Sequence, residues 1–285
     1  MAHRHGKNNL ETKNIKVAFL LNISFVIIEI IGGILTNSMA IISDAAHDLG
    51  DSISLGVSWY LQKIAKRSED EKFTYGYRRY SVLGAIINLI ILLLGCVFIL
   101  LESIPRLYQP EEVNSTGMLL LSIAGIGINL LAMLSLRRGN SVNERVVSLH
   151  FLEDVLGWVA VLIGSIAMMI WDVPIIDPIL SVCIAGYILY NVFKNAQIIL
   201  DIILQRTPRN VDLAKLKTLM LQVDTIIDVE DLHLWSLDGE YHICTAIIVF
   251  KSDSDNSNIS TKLAELHKIL DGQNVEHVTF EPKFI

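Results

Sequence analysis

Along most of this chain, apolar residues run in windows long enough to cross, as helices, a hydrocarbon core about 30 Å thick. Six windows can be read, at Val17–Leu35, Met39–Leu61, Val82–Leu101, Met118–Leu136, Val146–Trp171 and Ile179–Leu204. The second and fifth are the most interrupted, because both carry histidine and carboxylates. The second is retained because the short link Thr36–Ser38 leaves the chain no other easy path. After Pro208 the period changes. Val211–Val223 repeats Leu213, Leu216, Leu219 and Met220 at helical spacing. Ile226–Leu237 and Tyr241–Phe250 read as strands joined through Asp238-Gly239, a strong hairpin signal. A polar loop (Lys251–Asn258), a helix (Ile259–Leu270) and a last strand (Val275–Phe280) complete the order αββαβ. That order predicts a small two-layer α+β domain with its helices on one face of the sheet. The expected fold is an α-helical membrane protein with six transmembrane helices and a C-terminal α+β domain. Its parts are an N-terminal tail (1–14), a membrane domain (15–205) and a soluble domain (206–285).

Composition agrees with this. Of 285 residues, 52% are hydrophobic and only 19% are charged, and the mean hydropathy is +0.48, too apolar for an ordinary soluble chain. The net charge of −7, with no basic patch, argues against nucleic acid as a partner. Three widely spaced cysteines, Cys96, Cys183 and Cys244, make neither a disulfide framework nor a cysteine zinc knuckle. The polar N-terminus leads into a long apolar run without a small-residue cleavage site, which reads as a retained span. Lys and Arg set the orientation. They crowd the N-terminus (Arg4, Lys7, Lys13, Lys16), the second–third link (Lys63 to Arg79) and the fourth–fifth link (Arg137, Arg138, Arg145). The opposite links carry only Arg106. A multi-pass protein of the cell (plasma or inner) membrane with both termini cytoplasmic is expected.

Two windows carry the same spacing: His47 with Asp51, and His150 with Asp154. Residues four apart share one face of a helix, so each segment offers an imidazole and a carboxylate in one direction. Two such helices facing each other present two nitrogens and two oxygens, a tetrahedral set suited to Zn²⁺. Hydrogen bonding between helices explains one such pair. Two pairs with matching donors, in a medium where charge is costly, point to a metal. A site closed by four protein ligands carries an ion and leaves no position for a hydrolytic water. Zinc needs neutral imidazole and ionised carboxylate, so protons compete for the same atoms and metal/proton exchange follows from the ligand chemistry. An intramembrane hydrolase is disfavoured, since His-Glu-x-x-His is absent. A metal sensor or scaffold with a structural zinc site remains the alternative to a transporter.

Nearby acids have two readings each. Asp44 shares the face of His47 and either orients it from an outer shell or sits near the helix entrance. Asp48 and Glu153 point about 100° away from their neighbouring ligands and read as inter-helix or dimer contacts. Glu29, Asn22, Asn88 and Asn129 line a polar path or, more simply, bond between helices. Asp177-Pro178 opens the sixth span.

The residues resemble the cation diffusion facilitator family, in its zinc–cobalt–cadmium resistance branch. The stretch from Ser38 to His47 followed by Asp51 is similar to the family's second-span signature. Thr74 to Arg79 resembles its next cytoplasmic segment, His150 with Asp154 its fifth-span motif, and Asp231 to Ser236 its soluble-domain strand. The resemblance implies a homodimeric exporter of Zn²⁺, with Cd²⁺ or Co²⁺ as further substrates, exchanging the ion for protons by alternating access. It also implies a ferredoxin-like tail that dimerises and holds structural Zn²⁺. The candidate ligands there are His233, His242, His277 and Glu281, with surface histidine as the simpler reading. The His-rich loop of many relatives is missing at Gly139–Asn143, and Arg78 stands where they often have histidine. His3 and His5 are spaced for loose metal capture or are plain terminal histidines.

Overall fold

In a computed structural model of the chain, residues 23–137, 142–251, 256–272 and 275–285 are described. The N-terminal tail with His3 and His5, the start of the first expected span, and residues 139–141 lie outside the described residues. The chain divides into two compact units: residues up to 57 with 87–193, and residues 58–86 with 194–285.

The first unit holds most of the helices. They are α1 (Ile23–Thr36 as described), α2 (Met39–Ala65), α3 (Arg79–Tyr108), α4 (Ser115–Arg137), α5 (Val142–Trp171) and α6 (Ile176–Ile203). Among the described residues, four helices are long and apolar enough to cross a membrane: α3, α6, and the Ser115–Leu134 and Phe151–Trp171 parts of α4 and α5. The 27 residues of α2 reach about 40 Å. Its carboxylates at positions 44, 48 and 51 make it too polar to qualify by composition.

Two apolar clusters meet on α2. One joins Phe25, Ala40, Ile41, Met118, Trp158 and Val161, and so α1, α2, α4 and α5. The other face of α2, with Met39, Ile42 and Ala46, packs on Ile99 of α3 and Ala185 of α6. Small residues allow the close approaches expected between membrane helices. At Gly125 of α4, a Cβ would lie 2.3 Å from Trp158 Cδ2, so the indole of α5 rests on bare backbone. Phe25 closes the other side, its ring centroid 5.6 Å from that of Trp158.

The start of α2 is held from a distance. Asp177, read from sequence as the start of α6, also caps α2. Its Oδ1 accepts from Ser38 Oγ at 2.5 Å and from the Ala40 N–H at 3.2 Å, and its Oδ2 from the Met39 N–H at 2.7 Å. These N–H groups are orphan donors of a first helical turn. Asn37, in the left-handed region at φ 54°, turns the chain from α1 into α2. Arg106 Nη1 donates to both oxygens of Asn37 at 3.1 Å.

The second unit contains α7 (Leu213–Met220), β1 (Ile226–Ser236), β2 (His242–Phe250), α8 (Asn256–Asp271) and β3 (Val275–Phe284). The three-stranded sheet has the order β1-β2-β3, antiparallel between β1 and β2 and parallel between β2 and β3. Leu216, Met220, Val229, Ile248, Leu266 and Leu270 are among the residues of its core. The hairpin forms at Asp238-Gly239, with Gly239 at φ 100°. Asp238 Oδ1 accepts from the N–H groups of Glu240 and Tyr241 at 3.0 and 2.7 Å. Several boundaries differ from the sequence reading, among them the start of α8, at Asn256 and not Ile259. α7 starts later than Val211, because Asp212 caps it by accepting from Ala214 and Lys215. β3 runs past Pro282 to Phe284, since an edge strand tolerates proline where no ladder N–H is needed.

Residues 66–80 fold within this unit. Asp70 accepts the Lys72 and Phe73 N–H groups and the Tyr77 hydroxyl. Gly76, at φ 73°, makes the turn. Arg78 lies 3.5 Å from Asp238 and stacks 4.2 Å from the Tyr241 ring centroid. Tyr75 meets the His277 ring edge-on at 5.2 Å.

Candidate metal site

The helical period of α2 sets Asp44, His47 and Asp51 along one face, and His47 Nε2 lies 3.9 Å from Asp51 Oδ2. Both side chains are half-buried. On α5, Asp154 is 6% exposed. The carboxylate of Asp51 lies within electrostatic range of Asp154, so the acids of the two motifs face a common region. Gly157, less than one turn beyond Asp154, lies next to α2: a Cβ there would stand 3.7 Å from Asp44 Oδ1, in ordinary contact. The backbone of His150 lies on α5, one turn before Asp154. Its ring is outside the described residues. His47 and Asp51 thus share one face of α2, with Asp44 buried at 7% exposure, and among the described residues no group of three or more His, Cys, Asp or Glu side chains is set to hold a metal.

Asp48, read from the sequence as an inter-helix or dimer contact, is buried. It is 1% exposed, and Asp44, Asp154, Glu29 and Asp51 all lie within electrostatic range of it. It faces this acidic interior, because several helices converge around α2 and leave few directions that point outward. Glu29 of α1 is fully buried beside Asp44 and Asp154. Neither carboxylate oxygen of Glu29 or of Asp48 meets a hydrogen-bond partner among the described residues, so the inter-helix bonding expected for Glu29 is not found there. The sequence signal for both was a carboxylate inside an apolar run. The region gathers several buried carboxyl groups, a set of oxygen donors that a cation would complement.

In the soluble domain the expected ligands separate. His233 pairs with Thr245, whereas His242 pairs with Ser236. A bulge lies between Glu230 and His233, with Asp231 at φ 49°. His233 stands exposed, 2.9 Å from Asp231 Oδ1, while His242 is buried at 2% exposure. The unbroken register from the turn to His233 therefore keeps the two histidines apart, with His242 opposite Ser236. His277 contacts Tyr75, and Glu281 is exposed farther along β3. Among the described residues, no group of three or more His, Cys, Asp or Glu side chains is set to hold a metal. Burial pushes the Cys244 thiol up to about 11.

Comparison with known proteins now bears on this arrangement. The cation efflux transmembrane domain family matches residues 15–204. The cadmium, cobalt and zinc/H(+)-K(+) antiporter of Bacillus subtilis (strain 168) is 32% identical over 288 residues, covering 99% of this chain and 91% of the relative. Metal cation efflux system protein CzcD of Cupriavidus metallidurans is 32% identical, covering 98% of this chain and 89% of its own length. Zinc transporter ZitB of Pectobacterium atrosepticum is 30% identical, covering 100% of this chain and 89% of its own length. Together with the second- and fifth-span motifs and the apolar helices that carry them, these matches establish that the chain belongs to the cation diffusion facilitator (cation efflux) family, in its zinc–cobalt–cadmium branch, a family of transporters and not of enzymes.

Proposed function

We propose that the chain exports Zn²⁺, and with it Cd²⁺ or Co²⁺, across the membrane in exchange for protons. The observation that carries this reading is the approach of the α2 and α5 acids, Asp51 and Asp154, with His47 one turn from Asp51. With His150, they make two imidazoles and two carboxylates, a donor set suited to zinc. The printed names of the relatives, which include zinc transport, cadmium and cobalt efflux and H(+) antiport, support the same substrate and exchange. Metal occupancy requires the ligands to give up protons, so a site open alternately to each side returns protons as it releases metal. In this reading α1 to α6 all span the bilayer, residues 15–205 form the membrane domain, and 206–285 a ferredoxin-like cytoplasmic domain. The asymmetry of Lys and Arg between the links supports cytoplasmic termini at the cell membrane. Family resemblance supports a homodimer.

The test uses the purified chain in vesicles loaded with a zinc dye and a pH dye. Zinc entry with opposite proton flow is expected. Asp51→Ala or Asp154→Ala should cut that flux by at least about tenfold, the scale of losing one metal-site group. Intact zinc binding without flux would instead support a sensor.

A further inference from the structure

Beside the zinc-type ligands lies a small cavity of about 10 Å³, about the volume one water-sized atom occupies. Ser43 and His47 of α2, Leu92 and Cys96 of α3, and Ala185 and Ile188 of α6 are among the side chains that face it. The spacings i, i+4 on α2 and i, i+4 on α3 show that each helix turns one face to it. Three polar groups in an otherwise apolar wall are therefore aimed at one atom-sized space. Ser43 is 2% exposed, and its Oγ meets no hydrogen-bond partner among the described residues. A buried hydroxyl without a partner is costly unless something enters to satisfy it. Cys96 is 4% exposed, and its thiol donates to the Ala185 carbonyl at a long 3.7 Å.

We propose that Cys96, with His47 and Ser43, forms a soft-ion station beside the main site and sets how well the protein carries Cd²⁺ relative to Zn²⁺. The inference rests on the transport reading above, for it adds a sulfur donor to the wall that His47 shares with the α2–α5 site. Thiolate sulfur favours soft cations, imidazole serves soft and intermediate ones, and a serine hydroxyl completes the set as a weak oxygen donor. When Cd²⁺ enters, a metal–sulfur bond forms, the S–H bond breaks heterolytically, and one proton leaves for each ion held. No oxidant is needed.

The chain has three cysteines, so the donor can be isolated. Cd²⁺ is titrated into the purified full-length chain while thiolate-to-cadmium charge-transfer absorption is recorded. The band should persist in the double variant C183S/C244A, where Cys96 is the sole thiol, and disappear in C96S. In vesicles, C96S should lower Cd²⁺ uptake relative to Zn²⁺ uptake about tenfold, with Zn²⁺ uptake retained. No band in the sole-thiol variant, or an undiminished band in C96S, overturns the proposal. Either variant decides the question if the other fails to fold. Zinc flux that persists while the cadmium band is missing would remove the soft-ion station and leave the transport reading standing.

Discussion

At His47 the chemistry of one ring decides what the site prefers. Imidazole suits zinc, and an all-oxygen set suits manganese. His47→Asp should therefore raise Mn²⁺ uptake relative to Zn²⁺ in the vesicle assay, and an unchanged ratio would show that the ring is no filter. The pairing of His47 with Asp51 was legible in the sequence, because a four-residue spacing on a helix guarantees a shared face. The positions of Asp48 and Glu29 were not. Angular separation along α2 says where a side chain points relative to its own helix, and nothing about which helices stand in that direction. Converging α1, α2 and α5 turned both acids into interior groups. In the soluble domain the same limit separated His233 from His242. The turn sets a register that places His242 opposite Ser236 and not opposite His233, which strand periodicity alone does not announce.

Single elements were more readable than their partners. The αββαβ order followed from period, turn residues and length, and the observed strands and helices stand in that order. What holds α2 in place was hidden, because its cap, Asp177, comes from the start of α6. Helix packing was hidden in the same way. Gly125 shows in sequence only as one glycine in a glycine-containing helix, yet it receives the Trp158 indole. Gly125→Ala would normally favour a helix, but here the added methyl overpacks the α4–α5 contact. A loss of about 1–3 kcal/mol is expected. Thermal unfolding in detergent, compared with Gly127→Ala, where a Cβ meets nothing within 4 Å, checks it. Equal melting temperatures for the two variants would refute tight seating of the indole.

On the scale of the whole molecule, residues 58–86 belong to the same compact unit as the C-terminal domain, although along the chain they join α2 to α3. The turn at Asp70 and the Arg78 contacts to Asp238 and Tyr241 build this unit. The Tyr77 hydroxyl, then the Phe73 and Lys72 N–H groups, hold the Asp70 carboxyl below the usual carboxylate range. A lowered folded-state value means that the turn is favoured above the ordinary aspartate pKa of about 3.9, and loses that support as pH falls through Asp70's own lower value. A carboxyl-carbon NMR titration should place the Asp70 midpoint below that of a free aspartate. Tyr77→Phe should move it up, and an unmoved midpoint would show that the hydroxyl is not the cause. The sequence by itself determined which stretches are apolar helices, the order of helices and strands after Pro208, and the shared face of His47 and Asp51, because composition, period and spacing are local properties of a chain. Only the tertiary structure decided that α2 would lie between two packed groups of helices, that Glu29 and Asp48 would join its acidic interior, and that Cys96 would share a cavity with His47. Those outcomes depend on which distant helix faces meet, and close packing settles that for the molecule as a whole.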